Sequence, residues 1–416
     1  FDIKRGVRQG DPLSAYLFIL CIEILARSIY KDPEIQGFTF NNVQVKQILY
    51  ADDTTLFIRD SNSFKKVGKL FENFARNSGL KINKEKTFIL LLGPSQNENI
   101  ALPFGKVVQM VKILGIYFSL DVEVQERTNY KEILSKIKKL LSWWKQRDLT
   151  LMGKIQLIKT FILSKLIYVS ALTPVPNWVF KDLDKLVFEF LWKGKDKIKR
   201  NVMFLDYCRG GLRLTDFHLF ILVQRIMWVK RLLTGDANMG WKQYFNYLTK
   251  DAGGILIFYN NATVGISELV LPAFYRDMLD VWMATRIFLL KESVSRRNEI
   301  IYNNRFVFID GHVHFDEGLF NKNVYKLHHI VDKEGNIKSN EEFQRKGLNS
   351  LEISKIQRIF LGIPSSWKQF LNKNTHSNID RELDMDIIMF EKVYMLDQIT
   401  SKIIYAFLLN KKVEKS

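Results

Sequence analysis

Ile48-Leu49-Tyr50-Ala51-Asp52-Asp53-Thr54-Thr55-Leu56-Phe57-Ile58 places two adjacent carboxylates between two short apolar runs. Both runs are rich in β-branched and aromatic residues, so each predicts a strand and the acids predict the turn of a hairpin. Asp is frequent in turns because its side chain bonds the nearby backbone. On that ground alone the stretch is an ordinary surface hairpin. If the strands are buried, however, two uncompensated charges between them are costly to desolvate. A divalent metal ion is the usual partner of such a pair. The stretch leaves two readings, a plain turn or a metal-ligating tip, and its surroundings favour the second.

Upstream stands Arg5-Gly6-Val7-Arg8-Gln9-Gly10-Asp11-Pro12-Leu13-Ser14, running into an apolar stretch that ends near Ile29. Asp11 before Pro12 signals a helix start, because Asp caps free N–H groups and Pro suits the first helical position. The spacing predicts a helix over Leu13–Tyr30, ended by Pro33. Gly10 allows close backbone approach to a ligand. Arg8 and Gln9 then sit beside a helix N-terminus, where phosphate binds readily. Taken alone, the same residues also describe a well-capped buried helix preceded by basic residues.

The chain has 416 residues, 47% of them hydrophobic, and a formal net charge of +18. That apolar content supports packed cores and excludes a disordered basic tail. The length predicts about two or three domains. The positive excess fits a polyanionic partner, with a surface adapted for solubility as the alternative. Cys21 and Cys208 lie far apart among apolar or mixed neighbours and read as reduced core thiols. His312, His314, His328 and His329 lack cysteines or acids at ligand spacing. The apolar stretch Leu13–Ala26 is too short to span a membrane and carries Glu23.

Along the chain, residues 1–120 read as mixed α/β. Phe38-Thr39-Phe40 and Val43-Gln44-Val45 flank Asn41-Asn42 as a small hairpin. A second helix starts at Ser61 or Ser63, carries Phe64, Val67, Leu70, Phe71 and Phe74 at helical spacing, and ends at Gly79. Strands near 87–92 and 113–118 complete an antiparallel sheet with two helices on one face. From residue 121 the texture is helical, over Tyr130–Trp144, Gly153–Tyr168 and Leu183–Trp192, with the basic loop Lys193–Arg200 after the third. Lysines recur on successive helices, which favours phosphate contacts over solvated faces. Residues 210–290 are helical and aromatic, with most rings read as core. Short strands and loops are expected over Ile300–Ile330, helices over about 350–410, and a loose tail over Lys411–Ser416.

Together, RQGDPLS at Arg8–Ser14 and YADD at Tyr50–Asp53 resemble the palm of reverse transcriptases. The wider string from Ile3 to Ser14, then Leu17-Phe18 and Ile22-Glu23, resembles the enzyme of non-LTR retrotransposons, the long interspersed elements. Ser78–Asn83 with Lys86-Thr87 is similar to that family's next block, and Lys112-Ile113-Leu114-Gly115-Ile116 to its primer grip. The likeness runs on through Leu149–Ile155, Trp192-Lys193-Gly194, Gly210-Gly211-Leu212 and Ile363-Pro364 with Trp367. Ordered blocks of this kind are far more specific than one tetrapeptide.

The resemblance implies an α+β fold: a polymerase palm over 1–120, with an antiparallel sheet and helices on one face, then a helical thumb over 121–235. A mainly helical region of undefined role would follow over 236–416. It implies RNA-directed DNA polymerase chemistry with Mg²⁺, or Mn²⁺ in its place, and an RNA template, a DNA primer and deoxynucleotides as partners. Asp52 is then the principal metal ligand and Asp53 the supporting acid. Tyr50 packs beneath the hairpin, and Ala51 is small enough to admit the primer end. Arg8, Gln9 and Gly10 face template or nucleotide, Lys86 serves the departing pyrophosphate, and Leu114 and Gly115 turn the primer grip. The family's first metal-binding acid, fingers and endonuclease domain are expected upstream of Phe1. The chain thus reads as a fragment with little polymerase activity of its own. It is expected inside the cell, in nucleus or cytoplasmic ribonucleoprotein, with no membrane partner. A non-catalytic nucleic-acid-binding remnant and an intron-maturase-like cofactor are the alternatives.

Overall fold

The computed structural model describes residues 10–93, 104–258, 269–289, 296–297, 299–309, 315–368, 371, 387–390 and 392–414. Arg8, Gln9, His312 and His314 lie outside the described residues. The chain divides into two compact units, Phe1–Lys136 and Ile137–Ser416.

In the first unit, α1 (Ser14–Lys31) begins as the Asp-Pro pair demands. Asp11 Oδ1 accepts from the Leu13 N–H at 2.8 Å and the Asp11 carbonyl from the Ser14 N–H at 3.1 Å. β1 (Phe38–Phe40) and β2 (Val43–Val45) form a hairpin whose turn residues Asn41 and Asn42 have φ of 41° and 64°. Asn tolerates that left-handed pair better than most residues. β3 (Gln47–Tyr50) and β4 (Asp53–Leu56) form a second hairpin. α2 (Ser61–Ser78) is capped by Asp60, which accepts from the Ser63 N–H, and closes on Gly79 at φ 78°. Leu25 and Ile29 of α1 and Val67 of α2 bury a small core with Ile35, against which Leu56, Phe71 and Phe74 pack.

β5 (Phe88–Ile89) pairs in parallel with β6 (Lys106–Val107), and β7 (Met110–Ile113) pairs antiparallel with β8 (Ile116–Ser119). The single antiparallel sheet expected for residues 1–120 is therefore absent among the described residues, which hold separate two-stranded ladders. The strands are two to four residues long. Tight two-residue turns pair three of the four ladders with their sequence neighbours. Mixed helices and small, mostly antiparallel sheets make this part α+β.

The boundary between the units falls inside α3 (Val122–Lys145). The second unit is mainly helical. α4 (Leu151–Leu157) and α5 (Leu163–Leu172) are one helical run joined by a π-helical turn at Ile158–Ile162. At 22 residues this run is long and apolar enough to cross a membrane by length and composition, a feature the sequence reading missed. Ile155, Ile158, Ile162, Leu166 and Val169 are buried within the unit, and the run carries Lys154, Lys159 and Lys165. α6 (Asn177–Trp192), α7 (Arg200–Phe204), α8 (Phe217–Leu233), α9 (Gly240–Thr249) and α10 (Ala273–Leu289) follow.

Arg225 on α8 is fully buried, and it joins three elements. Its guanidinium donates to the Ser170 and Thr173 carbonyls at 2.7 Å each, and also to Asp277 on α10. The Trp228 indole N–H donates to the Ala171 carbonyl at 2.7 Å. These bonds satisfy carbonyls that the end of α5 leaves open. Among the aromatic residues, Phe217, Phe245, Tyr275 and Trp282 are buried, whereas Tyr247 is 40% exposed.

Beyond α10 the expected pattern changes. The described residues of 300–330 hold no strand, only isolated bridge residues, Ile300 pairing with Lys326 among them, and two short helices, α11 (Glu317–Asn321) and α12 (Leu327–Ile330). α13 (Asn340–Arg345), α14 (Ser350–Leu361) and α15 (Ser365–Lys368) come next, the first two with reciprocal capping boxes, Ser339 with Glu342 and Asn349 with Glu352. A hairpin, β9 (Ile387–Met389) with β10 (Lys392–Tyr394), interrupts the expected helices. α16 (Ser401–Glu414) takes in most of the supposed tail. Lys412 in this segment pairs with the buried Asp216. The two cysteines are also corrected: Cys21 and Cys208 are both exposed, the first on the uncovered side of α1.

Candidate active site

The β3–β4 hairpin is anchored at its root and open at its tip. At the root, the Gln47 amide donates to the Ala26 carbonyl at 2.6 Å, and the Lys46 ammonium donates to the Tyr30 and Asp32 carbonyls at 3.0 and 2.7 Å. Lys46 is buried at the C-terminus of α1, and burial pulls its pKa below the usual lysine value. A cation there meets the negative end of the helix. Leu56 and Ile58 pack on the core between α1 and α2.

The register pairs Tyr50 with Asp53, so Ala51 and Asp52 form a two-residue turn. Ala51 adopts φ 52°. For an L-residue with a Cβ that conformation costs about 1–2 kcal/mol. Strain of this size persists only where the surrounding structure enforces it. Asp52 and Asp53 are both exposed. Among the described residues no hydrogen bond or ion pair engages either carboxylate, so no local lysine or arginine neutralises them. Tyr50 does not pack beneath the hairpin: it is 67% exposed, because the strand alternation turns it outward with Ile48. The flanks are thus half-buried rather than buried, and the tip carries its charge in solvent.

The remaining expected residues in this unit sit on other elements. Gly10 has φ 90°, a conformation that favours glycine, with nothing near the position a Cβ would take. Lys86 is exposed in a turn organised by Asn83, whose side chain accepts from the Glu85 and Lys86 N–H groups at 3.1 and 3.2 Å. Leu114 and Gly115 form the β7–β8 turn at φ 47° and 87°. The two turns, Ala51-Asp52 and Leu114-Gly115, belong to separate ladders. No bond between Lys86 and either aspartate is present among the described residues. The sequence reading missed Asn129, which fixes α3 to β8. Its side chain accepts from the Tyr117 N–H at 2.9 Å and donates to the Tyr117 carbonyl at 2.9 Å.

Two adjacent carboxylates are a hard oxygen donor set suited to a divalent cation. Among the described residues no group of three or more His, Cys, Asp or Glu side chains is assembled to hold a metal. The tip by itself offers two exposed carboxylates, fewer oxygen ligands than such a cation takes. His329 Nδ1 is engaged by the protein, accepting from the Tyr325 and Lys326 N–H groups at 3.2 Å each.

Residues 1–118 match the family model described as reverse transcriptase (RNA-dependent DNA polymerase). A 149 kDa protein of transposon TX1 from Xenopus laevis is 24% identical over 310 residues, 71% of this chain and 23% of that protein. The retrovirus-related Pol polyprotein of a type-1 retrotransposable element R2 from Popillia japonica is 26% identical over 236 residues, 51% of this chain and 31% of that polyprotein. The Pol polyprotein of element R2DM from Drosophila melanogaster is 27% identical over 201 residues, 45% of this chain and 18% of its own length. The chain thus spans less than a third of the length of these relatives. The Asp52-Asp53 tip lies inside the residues that match the reverse transcriptase family, and the relatives are proteins of transposons and retrotransposable elements.

Proposed function

We propose that this chain is the palm and thumb portion of an RNA-directed DNA polymerase, with the β3–β4 tip as its metal-bearing edge. The observation that carries the reading is the pair of exposed carboxylates, Asp52 and Asp53, held uncompensated on a rooted hairpin within the family match. Mg²⁺, when bound, would lower the pKa of a primer hydroxyl and neutralise the leaving oxygens. Asp52 is the principal ligand and Asp53 the supporting acid. Ala51, with only a methyl group, leaves room for a primer end. The exposed Lys86 ammonium offers charge to pyrophosphate, and the Leu114-Gly115 turn supports the primer strand. Arg8 and Gln9 are assigned to template or nucleotide.

The thumb reading rests on charge. Lys131, Lys136, Lys138 and Lys139 lie exposed on α3, opposite buried Ile133, Ile137 and Leu141. Lys154 is drawn below its usual pKa first by burial, then by the ammonium groups of Lys193, Lys145 and Lys197. Its own Nζ donates to the Leu191 carbonyl at 2.9 Å, so Lys154 holds the bundle together while its neighbours remain for phosphate. Such crowding of like charge is relieved by a polyanion such as a primer–template duplex.

Primer extension by the purified chain, with Mg²⁺ or Mn²⁺, is the test. The reading expects weak extension that Asp52→Ala removes, and salt-sensitive duplex binding that Asp52→Ala spares. Duplex binding insensitive to salt would count against the thumb, and extension surviving Asp52→Ala would count against the tip.

A further inference from the structure

The Leu114-Gly115 turn sits on a ladder too slight to hold it unaided. Each of β7 and β8 has four residues, and Ile116 alone among them is buried. A lone two-stranded hairpin is marginally stable at best in water. The turn is strained as well: Leu114 adopts φ 47°, beside Gly115 at 87°. A left-handed leucine costs about 1–2 kcal/mol. Such strain lasts only where the surroundings enforce it.

α3 supplies that enforcement from one face. Gln125, Asn129 and Glu132 recur at i, i+4 and i+7, the spacing that aligns side chains along a helix. Gln125 Oε1 accepts from the Ser119 N–H at 3.1 Å. The Asn129 side chain accepts from the Tyr117 N–H and donates to the Tyr117 carbonyl, each at 2.9 Å. Its amide also donates to the Gln125 carbonyl at 3.0 Å, which fixes its orientation. Glu132 lies 3.9 Å from the Lys112 ammonium, and that ammonium donates to the Tyr117 hydroxyl at 3.4 Å. Gln125 and Asn129 thus grip the backbone of alternate residues on the strand that leaves the turn. A grip on backbone sets where a strand lies, whatever side chains it carries.

We propose that Asn129 and Gln125 are positioning residues for the primer end, acting by holding β8 and, through it, the Leu114-Gly115 turn. The proposal rests on the polymerase reading above, which gives that turn to the primer strand. Asn129 is buried, so it acts through the turn and not by touching nucleic acid. A displacement of about 1 Å in a positioning element is enough to cost about a hundredfold in a reaction. Duplex affinity, in contrast, comes from lysine contacts to phosphate.

Photo-crosslinking tests this, with the full chain and a primer–template duplex carrying 4-thiothymidine at the primer 3′ end. Duplex affinity is measured alongside by fluorescence anisotropy, and circular dichroism checks the fold. The unaltered chain is expected to cross-link within β7–β8. Gln125→Leu, which removes the acceptor, and Asn129→Ala are expected to lower that yield about tenfold. Gln125→Glu keeps an acceptor for the Ser119 N–H and is expected to retain the yield. Duplex affinity is expected to change by less than about twofold in all three variants. Where Asn129→Ala fails to fold, the two Gln125 variants decide the matter. Full yield in Gln125→Leu overturns the proposal, as does an equal loss in Gln125→Glu. A fall in affinity that matches the fall in yield also overturns it, since that marks a merely structural role. So does an unaltered chain that binds duplex without cross-linking at the turn. An unaltered chain that binds no duplex strikes the polymerase reading itself and takes the proposal with it.

Discussion

The side-chain amide of Asn129 bonds both backbone groups of Tyr117, its oxygen taking the N–H and its nitrogen giving to the carbonyl, each at 2.9 Å. One turn earlier on α3, Gln125 Oε1 accepts from the Ser119 N–H at 3.1 Å. The helix thereby completes the open edge of β8 as a neighbouring strand would. Asn129 is buried, so truncating it orphans polar groups as well as removing bonds. Asn129→Ala is expected to cost about 1–3 kcal/mol, read as a lower urea midpoint for the first unit. Asn129→Asp should also destabilise, because the carboxylate turns toward the Tyr117 carbonyl with no donor.

Strain at the tip gives a prediction of opposite sign. Ala51 holds φ 52°, which glycine adopts freely. Ala51→Gly should raise stability, or leave it level if the unfolded chain gains as much freedom. Ala51→Val, β-branched at the same dihedral, should lower it by more than about 1 kcal/mol. Thermal unfolding of both variants checks the order.

Asp52→Asn separates chemistry from folding. The carboxylate is exposed and unengaged among the described residues, so stability should move by less than about 0.5 kcal/mol. Divalent-metal binding, followed by Mn²⁺ paramagnetic resonance, should be weak in the unaltered chain and weaker still in the variant. Two carboxylates neutralise two divalent charges poorly.

Arg225 makes a buried cross-link, and its loss leaves Asp277 and the carbonyls of Ser170 and Thr173 without their donor. Arg225→Met is expected to cost about 3–5 kcal/mol. Hydrogen exchange should show the end of α5 and the facing part of α10 losing protection together.

Acid should weaken the second unit through two histidines. Burial is the largest cause drawing His328 down to about 4 and His329 down to about 3, with neighbouring positive charges adding to it. In the folded chain both stay neutral, whereas an unfolded histidine takes up a proton near pH 6.5. Their stabilisation is complete above about pH 6.5 and is lost as pH falls toward those folded values. A His328→Gln/His329→Gln variant should show a flatter fall in melting temperature between pH 7 and pH 4.

Much of the first unit was legible in local patterns. Asp11-Pro12, Gly79 and Asn41-Asn42 act within a few residues, and each ends or turns the chain where expected. The hairpin over Ile48–Ile58 was legible for the same reason, but its turn falls at Ala51-Asp52, one residue earlier than the expected Asp52-Asp53, so that Asp53 opens β4. Pairing between hairpins was not, because no local signal says which ladder edge meets which, and the expected sheet came out as separate pairs. Tyr50 was misplaced because strand alternation alone does not say which face is covered. Asn129 and Arg225 were invisible for a different reason: each acts on backbone groups whose position depends on tertiary packing. The tail was misread because its partner, Asp216, lies on the far side of the sequence.

α16 gives the second unit a consequence for its synthesis. Ile404, Phe407, Leu408 and Leu409 share one core with Val223 and Ile226 of α8 and with Met278 and Trp282 of α10. Contacts between such distant stretches demand costly chain closure before any packing rewards it. While a ribosome is still making this region, the part of α8 that packs on α16 waits uncovered. A nascent chain halted before Ile404 therefore leaves apolar side chains of this core in water, and the unit closes only once α16 has been made.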